Sequence, residues 1–169
     1  MEIKIEMIDS IKVMHSERMK SLIEYTSSSL CTDYPSPFGA SIYDADGTLI
    51  AQAYDSVMRE KDPTCHGEVN AIRKAVKKIG SHSLKGCTLY STCEPCSMCM
   101  STSIWAEIET VVFGATVNED ASQYWEQPLD ITAKEISNRM TGIKCIVISE
   151  VERKLAQQLF KDWKAAIDA

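Results

Sequence analysis

Three of the chain's seven cysteines, Cys93, Cys96 and Cys99, stand at three-residue intervals in one short segment, and Cys65-His66-Gly67-Glu68 lies upstream. An odd number of thiols, three of them bunched, suits a metal site better than a disulfide framework. Any fold of this chain must therefore carry two segments, distant in sequence, to one point.

The spacing admits three metal readings. Cysteines at this interval resemble the start of an iron–sulfur ligand run, but Ser103 and Ile104 stand where the fourth cysteine and its proline would fall. A structural zinc site closed by Cys93 or Cys87 as fourth ligand would saturate the ion. Neither of these uses Glu68. The third reading takes His66, Cys96 and Cys99 as ligands and leaves one tetrahedral position to water, which defines a catalytic zinc. Cys96 and Cys99, at i and i+3, are expected in the first turn of a helix over Pro95–Ala106, with their sulfurs on one side and at the positive end of the helix dipole. His66 opens a second helix, so two helix N-termini should converge on the ion. In mid-helix, His66 and Glu68 would point about 200° apart; at a helix start, with the metal off its end, both can face it. Glu68 is then the base that moves a proton to and from the water.

The rest of the chain reads as α/β. Residues 9–31 predict a helix, capped by Asp9 or Ser10, with Ile11, Met14, Leu22, Ile23, Thr26 and Leu30 near one face. Ala40–Tyr43 and Thr48–Tyr54 form a hairpin around Asp44-Ala45-Asp46-Gly47. Cys65–Ile79 is helical and ends at Gly80; Thr88–Ser91, Val111–Thr116 and Lys144–Ile148 are strands. One short helix follows Asp130, and Ser149 with Glu152 predicts a capping box for a last helix whose stripe is Val151, Leu155, Leu159 and Trp163. A hairpin followed by alternating helices and strands gives an α/β sandwich with a mixed sheet.

With 24 acidic against 18 basic residues the net charge is −6, which disfavours a sequence-independent grip on nucleic acid. No apolar run reaches the ~18 residues of a membrane span. Met1-Glu2-Ile3-Lys4-Ile5-Glu6 is too charged for a signal peptide's apolar stretch, so the expected location is cytoplasmic.

His66-x-Glu68 followed by Pro95-Cys96-x-x-Cys99 resembles the signature of the cytidine deaminase superfamily. The likeness runs from about Pro37 to Gly114, and Asp62-Pro63-Thr64, Cys93-Glu94-Pro95 and Phe113-Gly114-Ala115 resemble the guanine deaminase and tRNA adenosine deaminase branch. The resemblance implies a three-layer α/β/α sandwich around a five-stranded mixed sheet, a dimer, and a zinc cofactor. It also implies a single deaminase domain over residues 1–169, with its zinc core at about 37–116 and a C-terminal helix at about 151–168. The implied reaction is hydrolytic, replacing the amine of an amidine-type ring carbon and releasing ammonia.

In that branch the strand before the histidine ends in an asparagine that contacts the base, and here the matching residue is Asp55. An ionised Asp only accepts hydrogen bonds, so Asp55 would select a base edge with N–H donors; a solvated loop carboxylate is the other reading. Phe38 is the aromatic residue expected to stack on a substrate ring, Trp125 is a lid or a surface anchor, and Trp105 is expected in the core. Glu119, Asp120 and Glu126 are candidate acidic contacts in the segment after the Phe-Gly-Ala strand, each more simply a solvated charge. Cys31, Cys87 and Cys145 read as small core residues, Cys65 and Cys93 as neighbours of the ligands, and His15 and His82 as structural or exposed. Thr116-Val117-Asn118-Glu119-Asp120 carries no cation where tRNA editors have basic residues. The expected substrate is therefore a free nucleobase, nucleoside or related small amino-heterocycle, with guanine deaminase the nearest activity. The alternatives are a tRNA-specific adenosine deaminase, a cytosine- or triazine-type deaminase, and a noncatalytic zinc-binding interaction module, which would have no use for Glu68.

Overall fold

The computed structural model describes residues 2–125, 130–142 and 145–169. Five strands, β1 (Gly39–Tyr43), β2 (Leu49–Tyr54), β3 (Thr88–Cys93), β4 (Thr110–Ala115) and β5 (Ile146–Ile148), form one sheet in the order β2-β1-β3-β4-β5. β1 runs antiparallel to β2 and β3, whereas β3, β4 and β5 are parallel. Strand alternation sorts the side chains between two apolar layers. Ala40, Ile42, Leu89, Val111 and Phe113 join one core cluster; Tyr43, Tyr90 and Val112 join the other.

Helices cover both faces. α1 (Glu2–Ser27) and α6 (Arg153–Asp168) lie on one side, against β1, β3 and β4; α3 (Gly67–Ile79), α4 (Ser97–Trp105) and α5 (Ala133–Asn138) lie on the other. A single turn, α2 (Val57–Glu60), sits between β2 and α3. This is the expected three-layer sandwich around a five-stranded mixed sheet. No helix among the described residues is long and apolar enough to cross a membrane.

Several local expectations are corrected. α1 starts at Glu2 and gives way to a 3₁₀ turn at Ser28–Cys31, so neither Asp9 nor Ser10 caps it. Ser10 Oγ instead donates to the Met7 carbonyl within the helix, and its buried face is Met19, Leu22 and Thr26, while Ile11 is exposed. Ser149 and Glu152 form no capping box. Glu152 holds a left-handed backbone at the N-cap of α6, and its carboxylate takes Ser16 and Lys20 of α1. The capping box belongs to α5, between Thr132 and Glu135. The stripe of α6 buries Ala156, Leu159 and Phe160 and leaves Leu155 exposed, because the helix docks through the i, i+3, i+4 set one position on from the expected one. Trp105 is 84% exposed at the end of α4 rather than in the core, and Cys31 is exposed too. Cys87 and Cys145 are buried core residues. His15 is buried, with Nδ1 2.7 Å from the Tyr90 hydroxyl, and His82 is exposed. Lys144 and Glu126 lie outside the described residues.

Asp120 is buried rather than solvated. It accepts from the Thr116 amide (2.8 Å), Arg153 Nε (2.8 Å) and Gln157 Nε2 (2.7 Å), so it anchors α6 to the loop after β4. Glu119 pairs with the outer face of Arg153. Burial works against the Asp120 charge, but the hydrogen bonds from Arg153, Gln157 and Thr116 outweigh it and bring the carboxyl from the ordinary 3.8 down to about 2. Because this pKa is lower folded than unfolded, its contribution is full above about pH 4 and fades as pH falls toward 2. Asp120→Asn is expected to lower the unfolding free energy by about 1–2 kcal/mol at neutral pH, and by roughly half that at pH 3, as read from urea denaturation curves.

Candidate metal centre and cleft

The site forms where two helices begin. His66 is the N-cap of α3, with φ −65° and ψ 155°, and Cys96 is the N-cap of α4, with φ −64° and ψ 172°. Both are thus extended residues one step before their helices, not members of a first turn; α4 opens at Ser97 because Pro95 and Cys96 complete the turn out of β3. Neither side chain caps its helix by a hydrogen bond, which leaves the imidazole and thiol free to meet. Gly67 allows the approach of α3. A Cβ there would come within 2.9 Å of the Phe38 carbonyl oxygen.

His66 Nδ1 lies 3.7 Å from Cys96 Sγ and 3.5 Å from Cys99 Sγ, and the three donor atoms lie within 4.8 Å of one another. Tetrahedral zinc with Zn–S of about 2.3 Å and Zn–N of about 2.0–2.1 Å would put nitrogen and sulfur about 3.6 Å apart. The donor set therefore fits zinc through Nδ1 of the histidine. Among the described residues the cluster has no fourth ligand. Cys87 is held in the apolar core, and Cys93, buried at the end of β3, has its thiol pushed well up by burial. The iron–sulfur and closed structural readings both fail for want of that fourth donor, and an open position remains.

The electrostatics match. A hydrogen bond from the Cys99 thiol, aided by His66, holds Cys96 as a thiolate with a pKa of about 4, while Cys99, donating to that thiolate and buried, is pushed far up. The bond to Cys96 raises His66. His66, Cys96 and Cys99 would hold a divalent cation in place of this shared proton, with both thiols as thiolates favoured by the helix dipole.

Glu68 sits in the first turn of α3, only 6% exposed, and Oε1 accepts from Ser91 Oγ on β3 at 3.1 Å. Burial raises its pKa. Nothing in the spacing singles out Ser91, since only the pairing of β3 beside α3 brings it to Glu68. Asn70 was missed as well: its amide nitrogen donates to the Tyr54 and Cys65 carbonyls and to Ser56 Oγ, fastening the loop between β2 and His66. A polar residue one helical turn after His66 was the available signal. Glu94, also buried, accepts from the backbone of Val117 and Ala133 and ties the metal loop to the segment after β4.

A cleft of about 530 Å³ opens beside His66, with Phe38, Asp55, Tyr34, Trp125 and Trp163 on its walls. Phe38 meets Trp125 edge to face at 4.6 Å and Phe160 at 5.2 Å. Trp163 Nε1 donates to the Pro35 carbonyl at 3.0 Å, so α6 supplies part of the wall, which the sequence reading did not foresee. Asp55 and Phe38 are thus brought to the cleft, whereas Glu119 and Asp120 are spent on Arg153. A separate depression of about 450 Å³, lined by Tyr25, Arg59, Arg73 and Lys74 among others, does not include the metal cluster.

Residues 12–115 match the family model described as the cytidine and deoxycytidylate deaminase zinc-binding region. The chain is 47% identical over 79 residues to a guanine deaminase of Bacillus subtilis, a match covering 47% of this chain and 50% of that protein. It is 43% identical over 79 residues to a tRNA-specific adenosine deaminase of Aquifex aeolicus, covering 47% and 52% of the two chains. It therefore spans about half the length of these relatives. A solved guanine deaminase from Nitrosomonas europaea shares the fold with a TM-score of 0.79, at 22% identity over 89% of this chain and 84% of that one. The chain belongs to the cytidine and deoxycytidylate deaminase family, whose zinc-binding region it contains.

His66→Ala, Cys96→Ala and Cys99→Ala are each expected to abolish stoichiometric zinc in metal analysis of the purified protein. Glu68→Gln should retain it, because Glu68 lies outside the donor set.

Proposed function

We propose that this protein is a zinc-dependent hydrolytic deaminase of a free nucleobase, nucleoside or related amino-heterocycle, with guanine deaminase as the nearest activity. The observation that carries this reading is a three-donor metal cluster with an open position, a buried carboxylate beside it, and an aromatic cleft at its mouth. In this reading His66, Cys96 and Cys99 hold the ion, Glu68 is the catalytic residue, Phe38 and Asp55 contact substrate, and residues 1–169 act as one deaminase domain. When bound, zinc supplies a Lewis acid that brings the pKa of water toward neutrality.

Glu68 takes one proton from the attacking water and gives it to the ring nitrogen, then takes the remaining hydroxyl proton of the addition intermediate and gives it to the amine, which leaves as ammonia as the ring carbon becomes a carbonyl. Its burial suits this work, since it raises the pKa above the ordinary carboxylate value and so eases the return of the proton. Ser91 holds one carboxylate oxygen and so directs the other. Phe38, Trp125 and Trp163 supply apolar walls to a flat ring and keep bulk water from it.

The similarity to a tRNA-specific adenosine deaminase keeps that activity as the second reading. Charge favours the small molecule: the cleft's described lining includes Asp33 and Asp55 and no lysine or arginine, whereas a phosphodiester backbone calls for cations. A cytoplasmic homodimer is part of the proposal, on the family likeness.

The zinc-loaded protein is expected to release ammonia from one or more rings in a panel of guanine, adenine, cytosine, their nucleosides and aminotriazines, and to leave an adenosine-bearing tRNA hairpin unchanged. Glu68→Gln should lower kcat by about 10²–10⁴-fold, and Ser91→Ala by a smaller factor, both with zinc retained. Conversion of the hairpin without release from any free ring would overturn the small-molecule reading. Light scattering at twice the 18.8 kDa chain mass is the outcome expected of the dimer.

A further inference from the structure

We infer that Asp55 sets the substrate class of this cleft: it selects rings whose edge facing Asp55 carries N–H donors, polyamino heterocycles, over the matching rings with a carbonyl there. The inference rests on the deaminase reading and deepens it.

Asp55 directly follows β2, and its amide donates to the Phe38 carbonyl at 2.8 Å, which fixes it beside the aromatic wall. One carboxylate oxygen accepts from the Val57 amide at 3.2 Å; the other has no protein hydrogen-bond partner among the described residues. The residue is half-buried in the same cleft as His66. No lysine or arginine is among the described lining residues, and the nearby Arg59 turns its Nε to Glu60 at 2.9 Å. His66 shares the cleft with Asp55 and Arg59 lines an adjoining depression with it, yet neither hydrogen-bonds the carboxylate, so its second oxygen is open to a donor carried by the ligand.

A carboxylate offers acceptors only. A ring carbonyl facing it would set acceptor against acceptor and shut out the water that otherwise serves both, whereas an amino group or ring N–H donates to it in a charge-assisted hydrogen bond. Phe38, Trp125 and Trp163 line the cleft as aromatic walls, whose apolar contact does not distinguish an amino from an oxo ring. Discrimination between amino and oxo rings thus falls to Asp55.

The test is equilibrium binding by zinc-loaded Glu68→Gln protein, in which turnover is suppressed, followed by calorimetry and by tryptophan fluorescence from the cleft. The probes are matched pairs: guanine against diaminopurine, and isocytosine against diaminopyrimidine. The diamino member of each pair is expected to bind about tenfold or more tightly. In the double variant carrying Asp55→Asn, the ratio should fall to within about threefold of unity, because an amide can turn either a donor or an acceptor to the ring. Zinc content and Tm should be unchanged. A ratio near one with Asp55 in place, persistence of the preference in Asp55→Asn, or no binding of any probe each overturns the inference. Ammonia release from the same rings with Glu68 intact is a separate readout. The expected binding ratio with no ammonia would overturn the reaction and leave the selection by Asp55 standing; release at equal kcat/KM from both members of a pair would overturn the selection alone.

Discussion

Two thiols within 3.7 Å of one imidazole nitrogen, the three donor atoms all within 4.8 Å of one another, form an arrangement that the rest of the fold is built to enforce. Without a cation, Cys99 and His66 draw the Cys96 thiol down, while the neighbouring Cys96 and burial push the Cys99 thiol far up. With a cation, both thiolates and the imidazole are satisfied together, and the positive ends of α3 and α4 favour the added negative charge. That requirement explains the local backbone. His66 and Cys96 stand as extended residues immediately before their helices, Gly67 lets α3 close to within contact of β1, and the turn out of β3 brings Cys99 round to the same point. Parallel pairing of β3 with β4 places this turn at the carboxyl end of the strands, the usual ligand-binding edge of an open α/β sheet.

Around that point the molecule separates the work of holding the metal from the work of shaping the cleft. The ligands and Glu68 come from α3 and α4, on one side of the sheet. Part of the aromatic wall comes from α6 on the other side, reaching over through Trp163 and supported by Phe160 behind Phe38. The Asp120–Arg153 pairing carries that reach, because it fixes the start of α6 to the loop after β4. Glu94 fastens the same region from the metal side. Buried carboxylates that accept several hydrogen bonds thus set the position of the cleft walls, while Asp55 lines the cleft with one oxygen that has no hydrogen-bond partner among the described residues.

The ligand set and the alternation of strands and helices were legible because both are short-range patterns. Cys96 and Cys99 are separated by one helical turn, and His66 and Glu68 by two residues, so their chemistry can be read without knowing the topology. The layer assignment of the strands follows equally from period-two alternation. What failed were predictions about which of two similar faces, or which of two possible partners, a residue would choose. Leu155 and Trp105 are apolar and were placed in the core, yet their helices dock on neighbouring positions. Glu152 has the spacing of a capping-box residue but binds Ser16 and Lys20 across the molecule.

The sequence by itself determined the candidate metal-ligand types, their spacing, the neighbouring carboxylate and the alternation of strands and helices, since each is a pattern among residues close along the chain. Only the tertiary structure decided that Cys93 and Cys87 stay out of the cluster, that Ser91 hydrogen-bonds Glu68, that α6 walls the cleft and that Asp55 lines it with one oxygen unpartnered among the described residues. Those facts rest on distances between residues far apart in sequence, set by how the layers pack.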